Sequence, residues 1–139
     1  MITYHYQTKF SLKQEQAYTE WLDQVARSEN KTAGIINYIF CSDEELLQMN
    51  IRYLQHDYYT DIITFDYTEG KEISGDVFIS VDRVFANAAE YRVGRDEEIR
   101  RVMVHGILHL AGYRDDTTDE KNIMRNKEND KLELFHVEQ

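Results

Sequence analysis

From Ile2 to Phe10 the chain alternates: Ile2, Tyr4, Tyr6, Thr8 and Phe10 fall on one side of a period-two pattern. β-branched and aromatic residues favour a pleated backbone, so this stretch predicts a strand. Ser11 is placed to cap a helix. Between Leu12 and about Ser28 the period changes, and Ala17, Tyr18, Trp21, Leu22 and Val25 recur at steps of three and four, the mark of a helix packed by one face. Gly34–Phe40 reads as a second strand. Ser42, with Glu45 three residues on, forms a capping box that opens a helix to about Leu54. Asp61–Tyr67 and Asp76–Val81 are two further β-rich runs, joined as a hairpin by the charged, glycine-containing segment Glu69–Gly75. Asp82–Tyr91 is helical in pattern, Gly94 interrupts it, and Arg95–Ala111 forms a long helix that stops at Gly112. Thr117 or Thr118 opens a last helix through Ile123, Met124, Leu132 and Phe135. The order β-α-β-α-β-β-α-α-α predicts an α+β fold, a four-stranded mixed sheet packed by helices.

Composition narrows the class. A chain of 139 residues fits one compact domain, residues 1–139, and 42% hydrophobic residues with 6 Gly and 0 Pro exclude collagen-like and low-complexity disordered chains. With 16 Lys+Arg against 26 Asp+Glu the formal net charge is -10, which excludes holding nucleic acid by bulk electrostatics. Any such contact must be local. The single cysteine, Cys41, lies in an apolar stretch and reads as a small buried hydrophobe, consistent with a reducing compartment. The first ten residues lack the basic and continuously apolar regions of a signal peptide, and no stretch approaches the roughly 18 apolar residues of a membrane span. The expectation is a cytoplasmic protein without membrane contact.

Chemistry concentrates in Val102–Gly112, which is apolar or glycine at every position except His105 and His109. Such a helix is predicted to be buried and central. Spaced i, i+4, its two imidazoles share one face and can converge on a single ion. Buried separately, each would need its own polar partner, whereas one metal satisfies both. A catalytic site needs a third protein ligand. Gly112 lets the chain turn sharply so that Asp115 can swing back, with Asp116 and Asp119 as competitors on composition alone. Gly106 stands where a zincin protease carries its general base, so that motif is excluded. Asp76 is a candidate for orienting a ligating histidine from behind. Arg92, Arg95, Arg100 and Arg101 form the main basic cluster and could meet phosphates near the histidine helix.

The segment HGILHLAGYRD closely resembles the signature HGxLHLxGYDH of the YbeY family of metal-dependent endoribonucleases. Upstream, MNIRYLQHDYYTDIITF resembles that family's LNxxYRxxDxPTDVLSF and SGDVFIS its LGDIxIS, while Met124 and Glu128 fall near its C-terminal Met and Glu. The resemblance covers roughly Leu46 to Glu128. It implies a compact α+β fold with one zinc-type site on the central helix. It also implies action on single-stranded RNA in small-subunit ribosomal RNA maturation and ribosome quality control, with the small ribosomal subunit and its associated proteins as partners and no DNA.

Two departures stand out. The family's third histidine is Asp115 here, so the implied metal set is His105, His109 and Asp115, a known hydrolase arrangement. Its negative charge acidifies bound water less than a histidine would and suits harder metals such as manganese as well as zinc. The family's arginine is Leu54 here, and Arg52, two positions earlier, is the candidate replacement as a phosphate or transition-state contact beside the catalytic His105 and His109. Two other readings stay open: a metal-dependent hydrolase of a peptide or amide, which the acidic charge favours, and a non-enzymatic, metal-stabilised ribosome-associated domain.

Overall fold

The structure is a computed structural model that describes residues 1–135. Within them nine elements succeed one another as β1 (Ile2–Tyr6), α1 (Glu15–Ser28), β2 (Thr32–Cys41), α2 (Asp43–Leu54), β3 (Ile62–Asp66), β4 (Glu72–Ser80), α3 (Val81–Tyr91), α4 (Arg95–Leu110) and α5 (Thr118–Leu132). The order expected from sequence is therefore the order found. The strands form one sheet in the order β1-β2-β4-β3, parallel at β1/β2 and β2/β4 and antiparallel at β3/β4. It is the mixed, four-stranded α+β architecture the pattern predicts.

Several boundaries differ, each for a local reason. β1 ends at Tyr6 and α1 begins only at Glu15, after Gln14 in a left-handed conformation, so Ser11 caps nothing. The hairpin turn is tighter than its charge run suggests. Gly70 takes a positive φ of 61°, and Glu72–Gly75 are already strand, paired to β2 from Thr32 onward. The expected capping box of Ser42 with Glu45 forms at the start of α2, and a second, Thr117 with Glu120, settles the start of α5 on Thr117. In each, the hydroxyl accepts the N3 backbone N–H and the glutamate accepts the cap's own N–H, satisfying two donors that a helix start leaves free.

One face of the sheet carries the main core. Ile36, Tyr38 and Phe40 of β2 and Ile73, Val77 and Ile79 of β4 meet Trp21, Leu22 and Val25 of α1 and Ile99, Met103 and Ile107 of α4. The other face bears α2 and a small cluster of Cys41, Leu46 and Ile63. Cys41 is buried, as its apolar neighbours suggest. α4 lies against β3 and β4 and is flanked by α1, α3 and α5. The Tyr38 hydroxyl donates to the Met103 carbonyl at 2.8 Å, tying helix to sheet. The Trp21 indole N–H donates to the Lys131 carbonyl at 2.8 Å, closing the last turn of α5 onto α1. Among the described residues no helix is long and apolar enough to cross a membrane.

Gly106 sets the distance between α4 and the sheet. A Cβ at this position would stand 2.9 Å from Cγ1 of Val77, closer than packed carbon atoms come. His105 and His109 flank this contact, so it holds the histidine face of α4 at a fixed height over β3 and β4. Gly106→Val should destabilise the fold by about 1–3 kcal/mol through overpacking. Urea unfolding, with an unchanged m-value, is the measurement that checks it.

Candidate metal centre and substrate cleft

A cleft of about 480 Å³ opens between the start of β3, α3, α4 and α5. His105 and His109 form its floor, one turn apart on α4, half-buried rather than enclosed. Their rings lie edge to face, 4.6 Å between centroids. Asp115 reaches back over them. Its Oδ2 stands 3.3 Å from His105 Nε2 and 3.6 Å from His109 Nε2, and one ligand atom from each residue lies within 4.8 Å of the others.

The end of α4 explains how Asp115 returns. Gly112 has φ 107°, a conformation that side-chain-bearing residues rarely adopt. Around it the Gly112 N–H donates to the His109 carbonyl and the Tyr113 N–H to the Leu108 carbonyl, both at 3.0 Å. This is the Schellman pattern, which reverses the chain just past a helix. The expected turn at Gly112 is therefore present, and of the three acidic candidates it is Asp115 that it delivers to the histidines. Asp116 instead faces Arg114 at the surface.

Each histidine is also held from behind. His105 Nδ1 lies 2.6 Å from Oε2 of the buried Glu128, and His109 Nδ1 lies 3.0 Å from the Tyr113 carbonyl. A carbonyl only accepts, so His109 carries its proton on Nδ1 and leaves the Nε2 lone pair bare. The Glu128 carboxylate imposes the same tautomer on His105. The Nε2 atom of each ring is then the one directed at the Asp115 carboxylate. Two ligand atoms at 2.0–2.1 Å from a tetrahedral ion stand about 3.3 Å apart, close to the observed spacings. The donor set, its spacing and its outer partners fit a divalent ion.

The two imidazoles differ electrostatically. Burial alone would lower the pKa of His105, but the hydrogen bond and charge of Glu128, with Asp115 and Asp61, outweigh it and hold the group above its ordinary value. For His109 burial dominates, the neighbouring His105 adds to it, and the pKa falls below the ordinary value despite Asp115. Burial also pushes the carboxyl groups of Asp61 and Glu98, both on the cleft wall, above the usual carboxylate range.

A family model described as Endoribonuclease YbeY matches residues 2–136. The chain belongs to the YbeY family. It is 55% identical over 139 residues to the endoribonuclease YbeY of Flavobacterium johnsoniae, covering 100% of both chains. Its identity to that of Flavobacterium psychrophilum is 49% over 139 residues, covering 100% of this chain and 99% of the other. The solution structure of TM1509 from Thermotoga maritima is similar with a TM-score of 0.66 at 25% identity, over 97% of this chain and 89% of that one.

Not every residue singled out by sequence reaches the cleft of this YbeY-family chain. Asp76 sits on β4 with its side chain on the sheet face opposite α4, where Oδ1 accepts the Asn37 amide at 2.9 Å; the partner behind His105 is Glu128 instead. Strand alternation decides this, because Gly75 and Val77 take the α4 face. Arg52 is exposed on α2 with its guanidinium 5.6 Å from the Tyr53 ring centroid, while Leu54 lines a groove that touches His109. Arg52 lines neither the cleft nor that groove. Arg92 is the exposed C-cap of α3, and Arg100 turns to the other side of α4, over the Phe135 ring at 4.7 Å. Arg95 lies over the Phe85 ring at 4.5 Å, so of the four arginines of the basic cluster Arg101 alone lines the cleft, paired to Glu128 at 3.1 Å.

Sequence reasoning missed Lys121 and Arg125, which join Arg101 on the cleft wall. Their signal is present but weak: the i, i+4 spacing of Lys121 and Arg125 on α5 becomes meaningful only once α5 is known to pack beside α4. Glu128 stands out in the sequence by its motif position alone, which assigns it no role.

In chelator-treated protein, NMR titration should find His105 protonating above and His109 below the ordinary histidine pKa. The raised His105 value means that its proton stabilises the metal-free fold below the unfolded pKa, and that this contribution is lost as pH rises through the folded value. Glu128→Gln should lower the His105 pKa, since the main group opposing burial loses its charge and only Asp115 and Asp61 remain against it. An unchanged His105 titration in that variant would remove Glu128 from the account.

Proposed function

We propose that this chain is a metal-dependent endoribonuclease that cuts single-stranded RNA during small-subunit ribosomal RNA maturation, with one divalent ion, zinc in first place, on His105, His109 and Asp115. The observation that carries the reading is the convergence of two Nε2 atoms and a carboxylate on one point, with both Nδ1 atoms engaged behind them. The high identity to relatives named endoribonuclease YbeY supports the substrate class. Ribosome quality control, contact with small-subunit proteins and a cytoplasmic location belong to the same proposal.

The chain's own residues divide the work. His105 Nε2, His109 Nε2 and Asp115 Oδ2 hold the ion, and Glu128 and the Tyr113 carbonyl fix the imidazole tautomers. When bound, the ion polarises a phosphoryl oxygen and lowers the pKa of water. Arg101, Lys121 and Arg125 are the cations of the cleft, set among the carboxylates of Asp61, Glu98, Asp115 and Glu128, and would receive the phosphodiester as the local contact a chain at -10 requires. Asp61, whose carboxyl burial holds above its ordinary value, lines the same cleft beside the histidines.

The test is metal content by mass spectrometry together with turnover of unstructured RNA and of a generic peptide, with and without chelator. About one ion per chain and chelator-sensitive RNA cleavage are expected. Peptide cleavage without RNA cleavage would favour the amide-hydrolase alternative, and metal without turnover the binding-domain one. Replacing His109 by Ala should abolish metal uptake, because two-ligand sites rarely keep a catalytic ion. Asp115→Asn should weaken binding, whereas Asp115→His should keep it and move the pH-rate profile to lower pH, the more cationic centre acidifying its water further.

The cleft wall gives an independent check. Lys121→Glu with Arg125→Glu should weaken single-stranded RNA binding and flatten its salt dependence, while Arg92→Glu with Arg100→Glu leaves both nearly unchanged. Filter binding at several salt concentrations distinguishes the pairs, and the reverse ranking would move the RNA to another face.

A further inference from the structure

Behind the metal centre, away from the cleft, lies a mostly buried ionic cluster that the proposed reaction does not use. Glu29, just past the end of α1, has a side chain only 11% exposed. Its Oε2 accepts from Lys131 Nζ at 2.7 Å and from Lys127 Nζ at 3.3 Å, both on α5. Its Oε1 accepts the Tyr113 hydroxyl at 2.5 Å. The Lys127 ammonium also stands 5.5 Å from the Tyr113 ring centroid. Burial opposes ionisation of Glu29, but the hydrogen bonds from Lys131 and Tyr113 outweigh it and keep the carboxyl below its ordinary value.

Tyr113 is therefore gripped at three points: its hydroxyl by Glu29, its ring by Lys127, and its backbone N–H by the Leu108 carbonyl. Its fourth contact is the one that matters for chemistry, because the Tyr113 carbonyl accepts the proton of His109 Nδ1. A carbonyl on a post-helix turn can swing unless something holds it. Here the side chain of the same residue is anchored across the molecule to α1. The anchor reaches the second imidazole as well, since Lys127 and Lys131 stand on the helix that carries Glu128, the partner of His105.

We infer that Glu29 is a positioning residue for the metal centre, acting through the Tyr113 hydroxyl to hold the carbonyl that fixes the tautomer and ring orientation of His109. The inference rests on the reading of His105, His109 and Asp115 as metal ligands. Glu29 touches neither ion nor substrate. Its effect is on how well His109 is pre-oriented, so it should appear in metal affinity rather than only in fold stability.

The test is Zn2+ affinity by competition with a chromophoric chelator, alongside urea unfolding, for the wild type and the variants Tyr113→Phe, Glu29→Ala and their double. Tyr113→Phe removes one hydroxyl, leaves Glu29 paired with its lysines and keeps the inference testable if Glu29→Ala, which strands Lys131, does not fold. Each single variant should bind Zn2+ about 3- to 10-fold more weakly, a smaller loss than the 10- to 100-fold of direct outer partners. The double should bind no more weakly than the weaker single, because the two groups act through one contact. Ile36→Val, a core change far from this chain of contacts, should lower the urea midpoint and leave Zn2+ affinity alone. In zinc-free protein, long-range proton-nitrogen NMR should read His109 as the Nδ1–H tautomer in the wild type and as a mixture in Tyr113→Phe. Wild-type Zn2+ uptake with unchanged affinity and tautomer in Tyr113→Phe would overturn the inference alone. A wild type that takes up no Zn2+ would overturn the ligand assignment and the inference with it.

Discussion

α4 is surrounded. The sheet lies beneath it and α1, α3 and α5 lie around it, and along its cleft side from Val102 onward its polar groups are two imidazoles. A polar group in that setting must have both nitrogens answered, because a buried donor or acceptor left alone costs more than most single contacts return. The rest of the structure depends on how that demand is met. Glu128 answers one Nδ1 and the Tyr113 carbonyl the other, and this leaves both Nε2 atoms directed into a cleft with Asp115 opposite. Remove either rear partner and the imidazole is free to choose its other tautomer, which presents an N–H where a lone pair is needed.

Charge is distributed to suit the same arrangement. The chain is strongly acidic, yet the cleft wall carries Arg101, Lys121 and Arg125. Arg101 has a double task, pairing with Glu128 at 3.1 Å and with the Asn129 side chain at 2.8 Å while also lining the cleft. Asp115 places a negative charge at the site itself where the family pattern has a neutral imidazole. The field among the three side chains is thus more anionic than the family pattern implies, with the cations Arg101, Lys121 and Arg125 in the same cleft.

Much of the architecture is legible in the sequence because local physics decides it. The capping pair Ser42/Glu45 sits at the helix start it announces, Thr117, one of two threonines expected to open the last helix, is its cap, and the alternation in β1 and the three- and four-residue steps in α1 mark real elements. The departures from expectation are also local in kind. Glu72–Gly75 looks like turn by composition, but β2 offers them a partner strand, and pairing overrides the propensity of a glutamate, a serine and a glycine. Ser11 has the chemistry of a cap, yet the chain enters α1 through a left-handed Gln14 instead.

By itself, then, the sequence determined the order of elements, the pairing of His105 with His109 on one helical face, and a glycine where the chain must reverse to bring Asp115 back, since helix period and glycine's conformational freedom act within a few residues. It could not decide which distant side chains meet them. Asp76 and Glu128 are equally acidic in the sequence, and only the sheet's alternation, turning Asp76 away, and the packing of α5 beside α4, turning Glu128 inward, chose between them. The same holds for the cations. Arg100 and Arg101 are neighbours in the chain but are about 100° apart around a helix, so one faces Phe135 and the other the cleft, and which of them does so was settled by the helices packed on either side.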